Sequence, residues 1–129
     1  MRCFSISLVL SAALFISPLS AQTSQQAALP QAFVGDWCTG YISRLNGKAI
    51  LTIREATATS FSGRYKWIGP PNPFDGDASG QVVGDTLKFT TNQNEVRYEL
   101  SYKKGELVGD YENLRLGGKR WLTFKRGGC

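Results

Sequence analysis

FVGDWCTGY, residues 33–41, sets Gly35, Trp37 and Cys38 within four positions of one another, and a second cysteine, Cys129, stands at the other end of the chain. Read as a strand, the stretch sorts into two faces, because successive side chains of a β-strand point to opposite sides. Gly35 and Trp37 share one face; Asp36 and Cys38 share the other. An inward glycine lets a strand coil sharply, and an inward tryptophan is large enough to plug the end of a barrel. Cys38, facing outward, is placed to meet a tail that reaches it across the wall. In a closed meander the first and last strands are neighbours. The stretch therefore reads as a closure device, with Gly35 and Trp37 as the plug and Cys38–Cys129 as the covalent staple.

The flanking sequence points to an exported domain. MRCFSISLVLSAALFISPLSA at 1–21 has one early cation, Arg2, then an apolar run, then small residues up to Ala21. That is the layout of a cleavable secretory signal peptide, and the run is too short for a comfortable membrane span. Its removal leaves 108 of the 129 residues, enough for one domain with one core. QTSQQAALPQ at 22–31 is polar and low in complexity, so 22–32 reads as a flexible leader and 33–129 as a single β-barrel domain. Two cysteines left in an exported chain suggest one disulfide. The expected location is periplasmic or extracellular, with no integral membrane segment after signal cleavage.

Charge narrows the partners. The formal net charge of +5 is mild, and the pairs Lys103–Lys104, Lys119–Arg120 and Lys125–Arg126 read as solvated strand ends. They would also suit an anionic envelope polymer. No nucleic-acid-binding motif accompanies them, so nucleic acid is not an expected partner.

From Phe33 onward apolar and polar residues alternate with period two, which selects strands. Eight segments qualify: FVGDWCTGYI, KAILTIRE, SFSGRYKWI, ASGQVV, TLKFTT, EVRYELSYK, ELVGDYEN and KRWLTFKR. Their links, among them LNGK at 45–48, VGDT at 83–86, TNQNE at 91–95, KKGE at 103–106 and LGGK at 116–119, are short and rich in turn formers. Short links favour antiparallel neighbours. The fold expected is all-β, an eight-stranded antiparallel up-and-down meander barrel, with a partly open β-sandwich as the alternative. GPPNPFDGD at 69–77 is the one longer connection; its prolines exclude ladder pairing, and it is expected to span the barrel mouth. Three segments share the form apolar-x-Gly-x-aromatic, at 33–37, 61–65 and 107–111, which places inward glycines beside large rings.

Gly35-Asp36-Trp37 opening an eight-stranded meander resembles the G-x-W signature of the calycin group, which includes lipocalins and avidins. The resemblance covers Phe33–Arg126. It implies that Trp37 plugs the closed end, packed by a basic side chain of the last strand, for which Arg120 and Lys125 are the candidates. Trp67 stands where avidin-like proteins carry a small polar group, which argues against biotin. The chain also lacks the long first loop and late helix of lipocalins, which argues against a large lipid cavity.

Catalytic chemistry finds little purchase. The chain has no histidine, which removes His-based triads and most zinc sites, and oxidised cysteines offer no thiolate. Asp75 and Asp77 in PFDGD form the remaining carboxylate pair, read here as turn formers. No catalytic residue, metal or cofactor is expected. Binding is the better reading. Trp67, Asn72, Phe74 and Asp75 lie in or beside the longest loop, where binding residues concentrate, and Tyr65, Tyr98, Tyr102 and Tyr111 could line one barrel mouth. The function expected is that of an exported non-enzymatic barrel binding a small molecule, a glycan or an envelope component. The alternative is a protein-interaction module, such as an enzyme inhibitor, that uses the same loop on a protein partner.

Overall fold

Alternation of apolar and polar residues becomes a wall with a packed inside and a charged outside. The structure, a computed structural model, describes residues 29–91, 95–127 and 129. The expected signal peptide 1–21, leader residues 22–28 and part of the 91–95 turn lie outside the described residues. Eight strands follow in chain order: β1 (Gly35–Cys38), β2 (Lys48–Ala56), β3 (Ser60–Ile68), β4 (Phe74–Val83), β5 (Thr86–Thr91), β6 (Val96–Lys103), β7 (Glu106–Asn113) and β8 (Lys119–Arg126). Each pairs antiparallel with its neighbours, and the order β1 to β8 closes into a barrel. The closing seam is short: Trp37 faces Arg126 and Cys38 faces Lys125. It decides between the barrel and the open sandwich.

The inward rows are the core. Trp37, Leu51, Ile53, Phe61, Tyr65, Leu87, Phe89, Tyr98, Leu100, Leu107 and Phe124 are all buried. Each buried side chain of this size contributes about 1.5–3 kcal/mol before chain entropy is subtracted. The alternate residues, among them Arg64, Lys66, Lys88, Arg97, Glu99 and Lys125, are exposed, and several pair across strands, as Arg97 Nη2 does with Glu112 Oε2 at 2.8 Å.

Two boundaries differ from expectation. β1 stops at Cys38, because Gly40 turns the chain with a φ of 68°, and 39–47 forms a compact connection closed by the Ile42–Gly47 bridge. β4 begins at Phe74 rather than Ala78. Prolines block the ladder only up to Pro73, and beyond it Trp67 pairs with Phe74, Lys66 with Asp75, and Arg64 with Asp77. Asp75 and Asp77 are therefore strand residues, not turn formers.

Inward glycines serve closer contact than room for a ring. A Cβ on Gly63 would lie 1.9 Å from the Thr52 carbonyl oxygen, and one on Gly109 would lie 1.9 Å from that of Glu99. Neighbouring backbones occupy the space a side chain would need.

The two ends differ. The turns at 57–59, 84–85 and 104–105 share one end with a helical turn at 29–33. There Phe33 and Trp37 are fully buried, Trp37 Nε1 donates to the Phe33 carbonyl at 2.8 Å, and Tyr102 packs edge-on against both rings. The cation over Trp37 is Arg126, its Cζ 4.2 Å from the ring centroid, not Arg120 or Lys125. Parity explains this: Arg126 shares the inward row of Leu122 and Phe124, Lys125 points out, and Arg120 lies at the other end of the row. Arg126 also donates to the Val34 carbonyl at 2.8 Å and to that of Ala32. On the outside of the wall Cys38 and Cys129 form a disulfide, with Cα atoms 5.8 Å apart. The other end, bounded among the described residues by 39–47, 69–73 and 114–118, stays open.

Candidate functional site

One row of inward residues crosses half the barrel at the level of this open end. Register pairs Phe89 with Tyr98, Tyr98 with Tyr111, and Tyr111 with Arg120. Directly opposed residues of antiparallel strands hold their Cβ atoms about 5 Å apart, so the row is a ladder of three rings ending in a guanidinium. Phe89 and Tyr98 stack with centroids 4.9 Å apart and planes 11° apart, and Tyr111 lies 6.1 Å beyond Tyr98.

Tyr65 enters from β3 on the far wall. Its hydroxyl and that of Tyr98 hydrogen-bond each other at 2.5 Å, which bridges the lumen. Burial is the main cause that pushes the Tyr65 phenol up to about 12, with its bond to Tyr98 acting the other way. Burial likewise raises Tyr98 well above its ordinary value. Both phenols are thus neutral at physiological pH. Two neutral hydroxyls carry two protons, and their mutual bond uses one.

Above this floor the walls are apolar. Trp67, two residues beyond Tyr65 on the same face, is held by donating Nε1 to the Pro70 carbonyl at 3.3 Å. The 43–47 turn packs backbone to backbone on the β3 end: a Cβ on Gly47 would meet the Ile68 carbonyl at 2.4 Å. Opposite, Asn113 Oδ1 accepts from the amides of Arg115 and Leu116 at 3.0 and 2.8 Å and shapes the 114–118 hairpin. The space between is a pocket of about 280 Å³, lined by the three tyrosines, Trp67, Pro70, Pro71, Leu45, Val96, Asn113, Leu122, Arg120 and the hairpin residues 116–118. That volume sits at the lower edge of the range for small-molecule sites. Among the described lining residues Arg120 has the one fixed charge, none is acidic, and no described carboxylate forms an ion pair with it.

The residues expected from the sequence divide. Tyr65, Trp67, Tyr98 and Tyr111 meet in the pocket. Asn72 and Phe74 line an adjoining groove of about 370 Å³ that shares Trp67, Pro71, Val96 and Asn113 with it. Tyr102 does not join the other tyrosines: four strand residues from Tyr98 is about 13 Å, which carries it to the Trp37 end. Asp75 faces outward and accepts from Arg64 Nε at 2.8 Å, with Asp77 3.7 Å from the same guanidinium. Arg120, Leu45, Val96 and Asn113 were not expected here. For Arg120 the signal was present in its parity, since it shares the inward row with Leu122 and Phe124. Among the described residues no cluster of His, Cys, Asp and Glu could hold a metal ion, and no helix is long and apolar enough to cross a membrane.

The fold is a closed, eight-stranded, antiparallel up-and-down barrel with a pocket at one end. A solved structure of a mutant of the fluorescent protein UnaG is similar to it, with a TM-score of 0.50 and 16% identity, covering 77% of this chain and 99% of that one. At that identity the likeness is one of fold alone. No protein-family model matches the chain, and no curated protein matches it.

Proposed function

We propose that this protein is an exported, non-enzymatic binding protein that takes a small molecule, or the end of a glycan, into the open mouth of its barrel. The observation that carries the reading is the pocket between Trp67, Tyr98 and Tyr111, floored by the buried Tyr65–Tyr98 hydroxyl pair. It has the mostly apolar lining and few fixed polar groups of a ligand site. A binding role rather than a catalytic one is supported by the chain's lack of histidine, by the disulfide that occupies Cys38 and Cys129, and by the engagement of Asp75 and Asp77 with Arg64 on the outer wall. Export is supported by the same disulfide and by the pattern of residues 1–21.

Native mass spectrometry against a pooled library of metabolite-sized compounds tests the reading. One-to-one adducts are expected, and they should disappear in Val96→Trp, which fills the mouth. A chain that takes up nothing, or a Val96→Trp variant with its circular dichroism intact that binds as before, would overturn it.

A second reading, capture of a protein partner, is favoured by the apolar surface around the same end: Leu116 is 81% exposed and Trp121 57%. Pull-down with and without Trp121→Ser separates the two, because Trp121 is exposed outside the pocket lining and its loss would remove a protein partner without any change in small-molecule adducts.

A further inference from the structure

We infer that the ligand of this pocket is a small, flat, apolar organic acid, its carboxylate or equivalent oxyanion seated on Arg120 and its body lying along Tyr111, Tyr98 and Trp67. The inference rests on the binding reading above and specifies its chemistry. Three observations converge on it.

Arg120 is turned toward the pocket by strand parity and pairs in register with Tyr111. On the outer wall Arg64, Lys88, Arg97 and Lys119 each lie within ion-pair distance of a described carboxylate, while Arg54, Lys66 and Lys125, which have none, are exposed on the outward row. Of the cations without a described carboxylate, Arg120 is the one that lines the pocket. Lys119, one residue earlier and facing out, has Asp110 at 3.7 Å. Arg120 has no such partner among the described residues. A planar guanidinium offers five N–H donors in a fork that fits a carboxylate edge-on, in two parallel charge-assisted bonds.

The pocket's remaining polar groups also lean toward donation. Because Tyr65 and Tyr98 keep their protons and share only one hydrogen bond, one hydroxyl proton at the floor lacks an acceptor among the described residues. Asn113 spends its amide oxygen on the Arg115 and Leu116 backbone, which leaves its N–H₂ without an acceptor among the described residues. No described lining residue is acidic. A cationic ligand would meet Arg120 and no counter-charge; an acid meets donors at both the rim and the floor.

Shape sets the rest. About 280 Å³ suits a compact ligand of one or two rings. The rings of Tyr98, Tyr111 and Trp67 line the pocket, and rings prefer offset-stacked or edge-to-face partners.

Isothermal titration calorimetry with naphthoate and its isosteric neutral amide, naphthamide, isolates the charge. The wild-type chain is expected to bind naphthoate at least about tenfold more tightly than naphthamide, with the preference shrinking as salt is raised. Arg120→Gln should collapse that preference, Arg120→Lys should restore part of it, and Lys119→Gln, on the outer face, should leave it intact. Circular dichroism verifies each fold. Equal affinity for the two compounds, or a preference that survives Arg120→Gln, overturns the acid assignment and leaves the binding reading standing. If neither compound binds while only neutral members of the metabolite-sized library give adducts, the acid assignment falls alone. If nothing binds in either experiment, both fall.

Discussion

The hydroxyls of Tyr65 and Tyr98 meet across the lumen at 2.5 Å, joining β3 to β6 through the interior of the barrel. This contact divides the inside in two. Below it the lumen is filled down to Trp37; above it lies the pocket. One polar bridge is thus both the top of the core and the floor of the candidate site.

Alkaline pH should weaken the fold through this bridge. An unfolded tyrosine ionises near pH 10, whereas folded Tyr65 holds its proton up to about 12 and Tyr98 is also raised. The folded state then binds more protons than the unfolded one, so the stabilisation is fully present below about pH 10 and is lost as pH climbs toward 12. For Tyr65 this amounts to roughly 2–3 kcal/mol. Urea midpoints measured across that window should fall, and Tyr65→Phe should flatten the slope. An equal slope in the variant would mean that other groups cause it.

The closed end should depend on Arg126. Its guanidinium lies over Trp37 and donates to the carbonyls of Val34 and Ala32, so it ties β8 to the chain entering β1. Arg126→Ala is expected to cost about 1–3 kcal/mol. Lys should recover only part, since an ammonium cannot lie flat on the ring while reaching both carbonyls. Equilibrium denaturation reads the difference. Binding at the open end should change little.

Gly109→Ala should be far worse than its size suggests. The new methyl would sit 1.9 Å from the Glu99 carbonyl oxygen and 3.0 Å from the Leu100 Cα, and backbone of a neighbouring strand cannot step aside without breaking the ladder. A loss of at least about 3 kcal/mol, or failure to fold, is expected. Gly84→Ala is the control: open space surrounds it, and only its φ of +61° is strained, for about 1–2 kcal/mol.

Reduction should expose the weak seam. Two register pairs join β1 to β8, and the disulfide beside them closes a separation of 91 residues. In the chain-entropy model such a link is worth roughly 4–5 kcal/mol. Denaturation midpoints with and without reductant should differ accordingly, and Cys129→Ser should match the reduced wild type. Identical midpoints would show that the ladder alone holds the seam.

Much of this architecture was legible because burial follows parity. Trp37, Leu51, Ile53, Tyr65, Leu87, Tyr98, Leu100, Leu107 and Phe124 are inward in the sequence pattern and buried in the structure. The site was less legible, for reasons that differ by residue. Tyr102 shares its face with Tyr98, but parity is silent on distance along a strand. Asp75 was drawn into the loop by three prolines whose effect ends at Pro73. Arg120 and Arg126 were hidden within basic pairs that read as solvated ends, yet each pair straddles the wall: Lys119 and Lys125 face out, while Arg120 faces the pocket and Arg126 the plug. A charged residue on an apolar row marks an end of the barrel, and here the two arginines of β8 mark both.

The most direct test of the central claim is an amide and side-chain NMR titration of the isotope-labelled chain with a fragment library rich in aromatic acids. The account predicts saturable shifts confined to the open end, at Trp67 Nε1–H and the amides of Tyr98, Tyr111, Asn113 and Arg120, while Trp37 Nε1–H and Tyr102 stay still. Shifts gathered on the outer wall around Trp121, or none at any concentration, would contradict it.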